Sequence, residues 1–358
     1  MDFFVLFEVV LDTLGDSQTL VLSGLLVGVV FGVAAQRSRF CLRAAVVEFA
    51  DGKLGPRTAV WLLCFSTALF WTQLAALAGL VDLSTSRWLG QVSSLSGALI
   101  GGFVFGVGMV LSRGCPGRLL VLSATGNLRA ILSGLVFAVA AQVTLRGILA
   151  PARQEIAGLS VTDGPAPSLP ALSGLPDGTG LTLGVLFTLA ALWLARANQV
   201  GARVLVFGSG VGFAAALAWF LTYQLSMMTF QPTTVESLSF SGPSADVLMF
   251  VLLPDGGFDF DIGLVPGVFL GSFLAACSAR ELAWQGWEGA RAMQRYLLGA
   301  LLMGVGAMLA GGCSIGAGVS GGSTLALTAW VALAAMWLGG GVAHHLVDRR
   351  AAAVAPGT

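Results

Sequence analysis

GGFVFGVGMVLSRGC at residues 101–115 and GALLMGVGAMLAGGC at residues 299–313 are two copies of one pattern, and each ends in Gly-Cys. With Cys115 laid over Cys313, identical residues fall at Gly101/Gly299, Gly106/Gly304, Gly108/Gly306, Leu111/Leu309 and Gly114/Gly312. Each copy reads as an apolar, glycine-rich helix that runs out at the cysteine. The chain then restarts at once, as CPGRLLVLSA after the first break and CSIGAGVSGGSTLAL after the second. A duplicated broken helix in a membrane chain points to a transport site between two structural repeats. Here that site carries thiols.

The membrane assignment follows from composition. Of 358 residues, 56% are hydrophobic and only 10% charged, against roughly 25% charged in a soluble domain. Mean hydropathy is +0.88. The apolar runs suit helices rather than the alternating strands of about ten residues found in an outer-membrane barrel. Nine segments are candidates to cross, at about 18–36, 59–80, 95–112, 130–149, 179–195, 204–221, 263–279, 296–311 and 328–343. Several fall short of the ~20 residues of a full crossing. Where a short helix follows the break, it covers the remaining depth, and such irregular backbone is tolerated only inside protein or beside a water-filled cavity. The fold expected is an all-α integral membrane protein, with about nine transmembrane helices and short re-entrant helices.

Charge sets the orientation. With the N-terminus outside, fifteen of the eighteen Lys and Arg residues fall in inner loops, Arg349 and Arg350 among them, and only Arg87, Arg146 and Arg153 fall outside. That bias predicts a periplasmic N-terminus and a cytoplasmic C-terminus. The acidic start of the chain (Asp2, Glu8, Asp12, Asp16) lacks the basic region of a signal peptide. Four crossings, a linker crossing and four more make the two halves inverted. The chain is thus one transport domain over 1–358, with repeat 1 at about 18–150, a linker helix at about 179–195 and repeat 2 at about 204–346. The remaining repeat member matches weakly: Gly28-x3-Gly32 resembles Gly208-x3-Gly212, but Leu221 stands where Cys41 would be matched. Glycines at this spacing read first as close helix packing. Residues 151–180 read as a Pro/Gly/Ser-rich outer loop, 222–262 as an acidic outer excursion that includes Asp255, and 351–358 as a frayed tail.

Three of the five cysteines occupy special positions: Cys41 in QRSRFCLRAAVVE, and Cys115 and Cys313 at the breaks. Cys64 and Cys277 read as small hydrophobes. A cysteine at the start of a short helix faces unpaired N–H groups and the positive end of the helix dipole, which favour anions and a strongly donating thiol. The candidate path is therefore Cys41, Cys115 and Cys313 with the adjacent Gly114 and Gly312. Arg39 and Arg113 are expected to collect or release an anion at the inner mouth. No acid lies inside these spans to form a proton relay, and no metal site or cofactor is expected. With zero net charge and no basic tail, nucleic acid is not a partner. His344 and His345 read as interfacial residues. Soft thiols at helix ends suit a small, soft anion. Two other classes stay open: a membrane thiol–disulfide relay enzyme, disfavoured because no C-x-x-C occurs and each cysteine lacks an adjacent resolving partner, and a glycine-lined water or small-ion channel, which needs no thiols.

QRSRFCLRAA at 36–45, GVGMVLSRGCPGRLLV at 106–121 and GGCSIGAGVSGGSTLAL at 311–327 resemble, in order and spacing, the three cysteine motifs of the YeeE/YedE sulfur-transport family. The resemblance spans essentially the whole chain. It implies an hourglass-shaped importer of thiosulfate in the bacterial inner membrane, not an enzyme, with the cysteines at Cys41, Cys115 and Cys313 passing the anion inward through weak S–H hydrogen bonds. It also implies membrane lipids as surroundings and a small cytoplasmic sulfur-carrier protein as partner. Some members carry such a carrier fused, whereas this chain stops at Thr358. Other branches are associated with selenium or other sulfur compounds.

Overall fold

The computed structural model describes residues 13–176, 178–229, 233–253, 257–287 and 289–349. Asp2, Glu8, Asp12, Asp255, Arg350 and the tail 351–358 lie outside the described residues. Among the described residues, nine helices are long and apolar enough to cross a membrane; this is a multi-pass, all-α membrane protein.

In chain order the helices are α1 (Asp16–Ser38), α2 (Leu42–Ala50), α3 (Pro56–Leu77), α4 (Leu95–Leu111), α5 (Pro116–Ala124), α6 (Leu128–Leu145), α7 (Ala150–Gly158), α8 (Leu169–Ser173), α9 (Thr179–Ala197), α10 (Ala202–Met228), α11 (Gly242–Leu252), α12 (Phe260–Ala279), α13 (Ala290–Leu309) and α14 (Leu327–Ala343). A π-helical turn, Ser314–Gly321, follows α13, and another, His344–Arg349, extends α14.

Two expectations for the loops change. The 151–180 stretch is built rather than loose: it holds α7 and α8, and its strand β2 (Val161–Pro165) pairs antiparallel with β1 (Val92–Ser94). The hydroxyls of Ser94 and Ser96 anchor it by donating to the carbonyls of Ala157 and Ile156 at 2.6 and 2.7 Å. The helix expected to end at Leu221 runs on to Met228. Its next turns contain no Gly or Pro, and Thr222 satisfies its hydroxyl on the Ala218 carbonyl at 2.9 Å, so nothing stops the helix there.

Glycine sets how closely the helices meet. A Cβ built on Gly24, Gly28 or Gly32 of α1 would sit 2.0, 2.4 or 2.4 Å from the carbonyl oxygens of Phe260, Leu264 or Val268 on α12. Reciprocally, a Cβ on Gly263, Gly267 or Gly271 would sit 1.9, 2.5 or 2.4 Å from those of Val21, Leu25 or Val29. Lipid supplies no hydrophobic force between helices, so close backbone contact supplies the dispersion energy. The duplicated helices α4 and α13 meet in the same manner. Gly101 abuts Gly306, and Gly108 abuts Gly299, with Cβ-to-carbonyl distances of 2.6–2.7 Å. Under the alignment of the two motifs, each of these contacts is the image of the other, as at a two-fold interface. The neighbouring pairs follow suit. Gly106 of α4 presses on Met336 of α14, as its counterpart Gly304 of α13 presses on α6 at Phe137 and Ala140.

Candidate functional site

The three singled-out cysteines hold one backbone position in three breaks. Cys41 is the N-cap of α2, Cys115 of α5 and Cys313 of the π turn Ser314–Gly321, each in an extended conformation. Two residues earlier the backbone turns left-handed every time, at Arg39 (φ 54), Arg113 (φ 57) and Gly311 (φ 78). This αL residue ends the incoming helix as a C-terminal cap does. The extended cysteine then starts a new helix, and at the second break Pro116 locks the first turn. Arg129 finishes the end of α4 by donating from Nη1 to the Ser112 carbonyl at 3.1 Å.

The sulfurs meet the orphan N–H groups of their helices. Cys313 Sγ, wholly buried, accepts from the N–H groups of Gly316 and Phe240 at 3.5 and 3.4 Å. The corresponding donors of Ala44 and Arg118 are directed toward the sulfurs of Cys41 and Cys115 without closing a cap bond. Although 74 residues apart in sequence, the Cys41 and Cys115 thiols are neighbours in space. The argument from sequence separation, that no cysteine has an adjacent partner, therefore fails for this pair. Cys64 is buried in α3, and Cys277 is exposed.

Two cavities approach these residues from opposite faces. On the arginine-rich face, a cavity of about 460 Å³ is lined by Arg37, Arg39, Arg57, Arg203 and Glu281, with Cys41 on its wall. On the other face, one of about 480 Å³ is lined by Arg146, Asp246, Asp259, Asp261 and the rings of Phe250 and Phe258. Between them lies a gap bounded by Phe31, Phe40, Cys115, Arg118, Val121 and Ile315, too tight to admit a water molecule. The ring of Phe240 helps close it: it packs tilted against Phe31, ring centres 5.1 Å apart, and covers Gly117.

Phe240 belongs to an extended strap, Thr233–Ser241, that sequence reasoning took for part of an outer excursion. The strap is laced down by Ser320 Oγ to the Leu238 carbonyl at 2.7 Å, Ser237 Oγ to the Ala215 carbonyl at 2.7 Å and Thr222 Oγ1 to the Glu236 carbonyl at 2.6 Å. It ends at Ser241, the N-cap of α11. Leu221, which the glycine spacing matches to Cys41, lies inside α10 rather than at a break.

The other residues singled out in the sequence separate. Arg39 faces the arginine-rich cavity and pairs with Glu281 at 3.5 Å. Arg113 points elsewhere, its guanidinium 5.7 Å from the Tyr296 ring centre. Gly114 spends its N–H on the Met109 carbonyl at 3.2 Å, so it is no free anion donor. Gly312 lets the chain press on the π turn, where a Cβ would meet the Ala317 nitrogen at 2.8 Å. The arginine that does reach the thiols is Arg118, beside both Cys41 and Cys115. The only sequence signal for it was its place one helical turn after Cys115. His344 follows directly on α14. It is buried between Asp51 (3.0 Å) and Asp348 (3.3 Å), in a cluster that also takes in Arg43, Arg295 and Arg349. The cluster ties α2 to the ends of α13 and α14. Within it, the hydrogen bond to His344 and the Arg349 guanidinium hold the Asp51 carboxyl below its usual range.

The family model described as sulphur transport matches residues 37–342 and so takes in all three breaks. The chain belongs to the sulphur transport family. Within this family it is similar to two proteins named thiosulfate transporter TsuA. The one from Spirochaeta thermophila is 29% identical over 349 residues, covering 92% of this chain and 99% of the relative. The one from Escherichia coli K12 is 26% identical over 355 residues, covering 92% and 95%. A sulphur transport protein is a transporter and not an enzyme.

Proposed function

We propose that this protein carries thiosulfate, or a closely related small sulfur-containing anion, inward across the bacterial inner membrane. The observation that carries the reading is the recurrence of one thiol at one backbone position in three breaks, with Cys41 opening to the arginine-rich cavity and Cys115 and Cys313 behind it. The names of the relatives supply the substrate. The arginine-rich face is cytoplasmic by the charge bias, so the acidic cavity is the outer vestibule. The reciprocal glycine contacts of α4 and α13 support a frame of two inverted repeats joined by α9, and the two cavities facing a closed gap support the hourglass outline.

The chemistry suits such a solute. A divalent anion leaving water needs replacement hydrogen bonds, and helix N-termini offer N–H groups with a favourable dipole. Thiols add weak donors matched to a soft sulfur atom, and weak binding at several sites lets an ion leave as well as enter. The anion passes Cys313, Cys115 and Cys41 in turn and is released among the arginines, where a small cytoplasmic sulfur-carrier protein takes it up.

The test is uptake of labelled thiosulfate into vesicles, with sulfate and selenium analogues as competitors. Serine at Cys41, Cys115 or Cys313 is expected to lower uptake at least tenfold in folded protein, whereas Cys64→Ala and Cys277→Ala stay within twofold. Equal loss at all five positions refutes a thiol path. Because Cys41 and Cys115 are neighbours, mass spectrometry separates this reading from a thiol–disulfide relay: both thiols remain reduced through turnover, and a Cys41–Cys115 disulfide that accumulates with substrate overturns the transport reading.

A further inference from the structure

Two polar groups in the constriction find no oxygen or nitrogen partner among the described residues. Among the described residues Arg118 Nη1 is buried without a hydrogen-bond partner, and the hydroxyl of Ser314, a residue 1% exposed, reaches no oxygen or nitrogen and has the Cys115 thiol as its neighbour. Both flank Cys115. Among the described residues Arg118 has no carboxylate partner: its charged surroundings are the sulfurs of Cys41 and Cys115 and two further cations, Arg39 and Arg57. Buried polar groups in native proteins are nearly always satisfied, and an unpaired guanidinium at membrane depth is costly. A guanidinium N–H without an acceptor and a serine hydroxyl, both beside one thiol, describe a site suited to an acceptor with negative charge.

We propose that Arg118 and Ser314 form an oxyanion site at Cys115, which holds the oxygen-bearing end of the transported anion while its sulfur end lies against the Cys115 and Cys41 thiols. The guanidinium presents N–H donors in a planar fork suited to an oxyanion, and the serine hydroxyl adds a donor from the opposite repeat. The soft end and the hard end of the solute are then read by different groups. This assigns a fixed charge to the path, where the sequence suggested helix ends alone, and it makes the preferred substrate class a sulfur oxyanion with an exposed soft atom. The inference rests on the transport reading above.

Calorimetric titration of thiosulfate into detergent-purified protein tests it. Arg118→Gln is expected to weaken binding ten- to a hundredfold, Arg118→Lys to recover part of that loss through charge without the fork, and Ser314→Ala to weaken binding about fivefold to tenfold, the cost of a hydrogen bond to a charged group. Arg113→Gln, beside Tyr296, is the control and stays within twofold. If the arginine variants are not recovered folded, Ser314→Ala carries the test alone. Wild-type protein that binds no thiosulfate refutes the substrate reading. Wild-type protein that binds it, with folded Arg118→Gln and Ser314→Ala unchanged, refutes this site and leaves the substrate reading standing.

Discussion

Glu236 on the strap is a partly buried acid facing other acids, and its removal gives a pH-dependent test of the acidic face. Burial pushes its carboxyl from 4.5 up to about 7; Arg87 opposes the shift, and Asp259 and Asp246 add to it. Asp246, Asp259, Asp261 and Arg146 line the acidic cavity beside the strap. At one pKa unit per 1.36 kcal/mol, a rise of about 2.5 units costs the folded state at most about 3 kcal/mol. The sign follows from protonation. Below about pH 4.5 the acid is neutral in both folded and unfolded chains and costs nothing. Between about 4.5 and 7 the unfolded chain ionises first, so stability falls, and above 7 the full penalty is present. Glu236→Gln is therefore expected to melt with wild type at pH 4 and several degrees higher at pH 8, measured by thermal unfolding in detergent. Transport should follow the same titration. Wild-type uptake rises as pH falls from 8 to 6, where about nine-tenths of the carboxyl is neutral, and the Gln variant takes up thiosulfate at pH 8 as fast as wild type does at pH 6. Equal melting temperatures for the two proteins at pH 8 would refute the buried charge, and an unchanged uptake profile would remove it from the path.

Two other perturbations probe the closed gap and the packing that frames it. Phe240→Ala removes the ring between Phe31 and Gly117; it should cost about 3–5 kcal/mol of stability and open a thiosulfate leak in vesicles, and lower flux through folded protein would make the ring packing only. Gly28→Ala drives a Cβ to 2.4 Å from the Leu264 carbonyl, an overpacking worth about 3 kcal/mol, seen as a lowered melting temperature. Gly134→Ala in α6, with open space around it, should be neutral or gain up to about 1 kcal/mol.

Much of this was legible because each signal was local and periodic. Apolar run lengths located the nine helices, and Gly-Cys followed by a fresh helical run located the breaks, since a chain has few ways to stop and restart inside a membrane. What stayed hidden depended on distant parts of the chain. The strap Thr233–Ser241 carries no periodic pattern and is held by hydroxyls on α10 and the π turn, so its sequence alone looks like a loop. Arg113 and Arg118 both flank Cys115 and look equivalent in sequence; one helical turn aims one at Tyr296 and the other at the thiols. The nearness of Cys41 to Cys115 joins two breaks 74 residues apart, which no spacing rule predicts. His344 needed the positions of Asp51 and Asp348 to become a buried ligand of an ion cluster.

The dry gap between two open cavities also governs electrical work. Solvent reaching in from both faces confines most of the membrane potential to the short stretch around Cys115. A dianion crossing it toward a negative interior works against about 2.3 kcal/mol per charge for each 100 mV, or about 4.6 kcal/mol. The local charge of Arg118 lowers the barrier in the gap but leaves this end-to-end work untouched. Unaided flux would therefore balance with the inner anion about a thousandfold or more below the outer one. Net import requires either co-movement of at least two positive charges or prompt chemical consumption of the anion on the arginine-rich side.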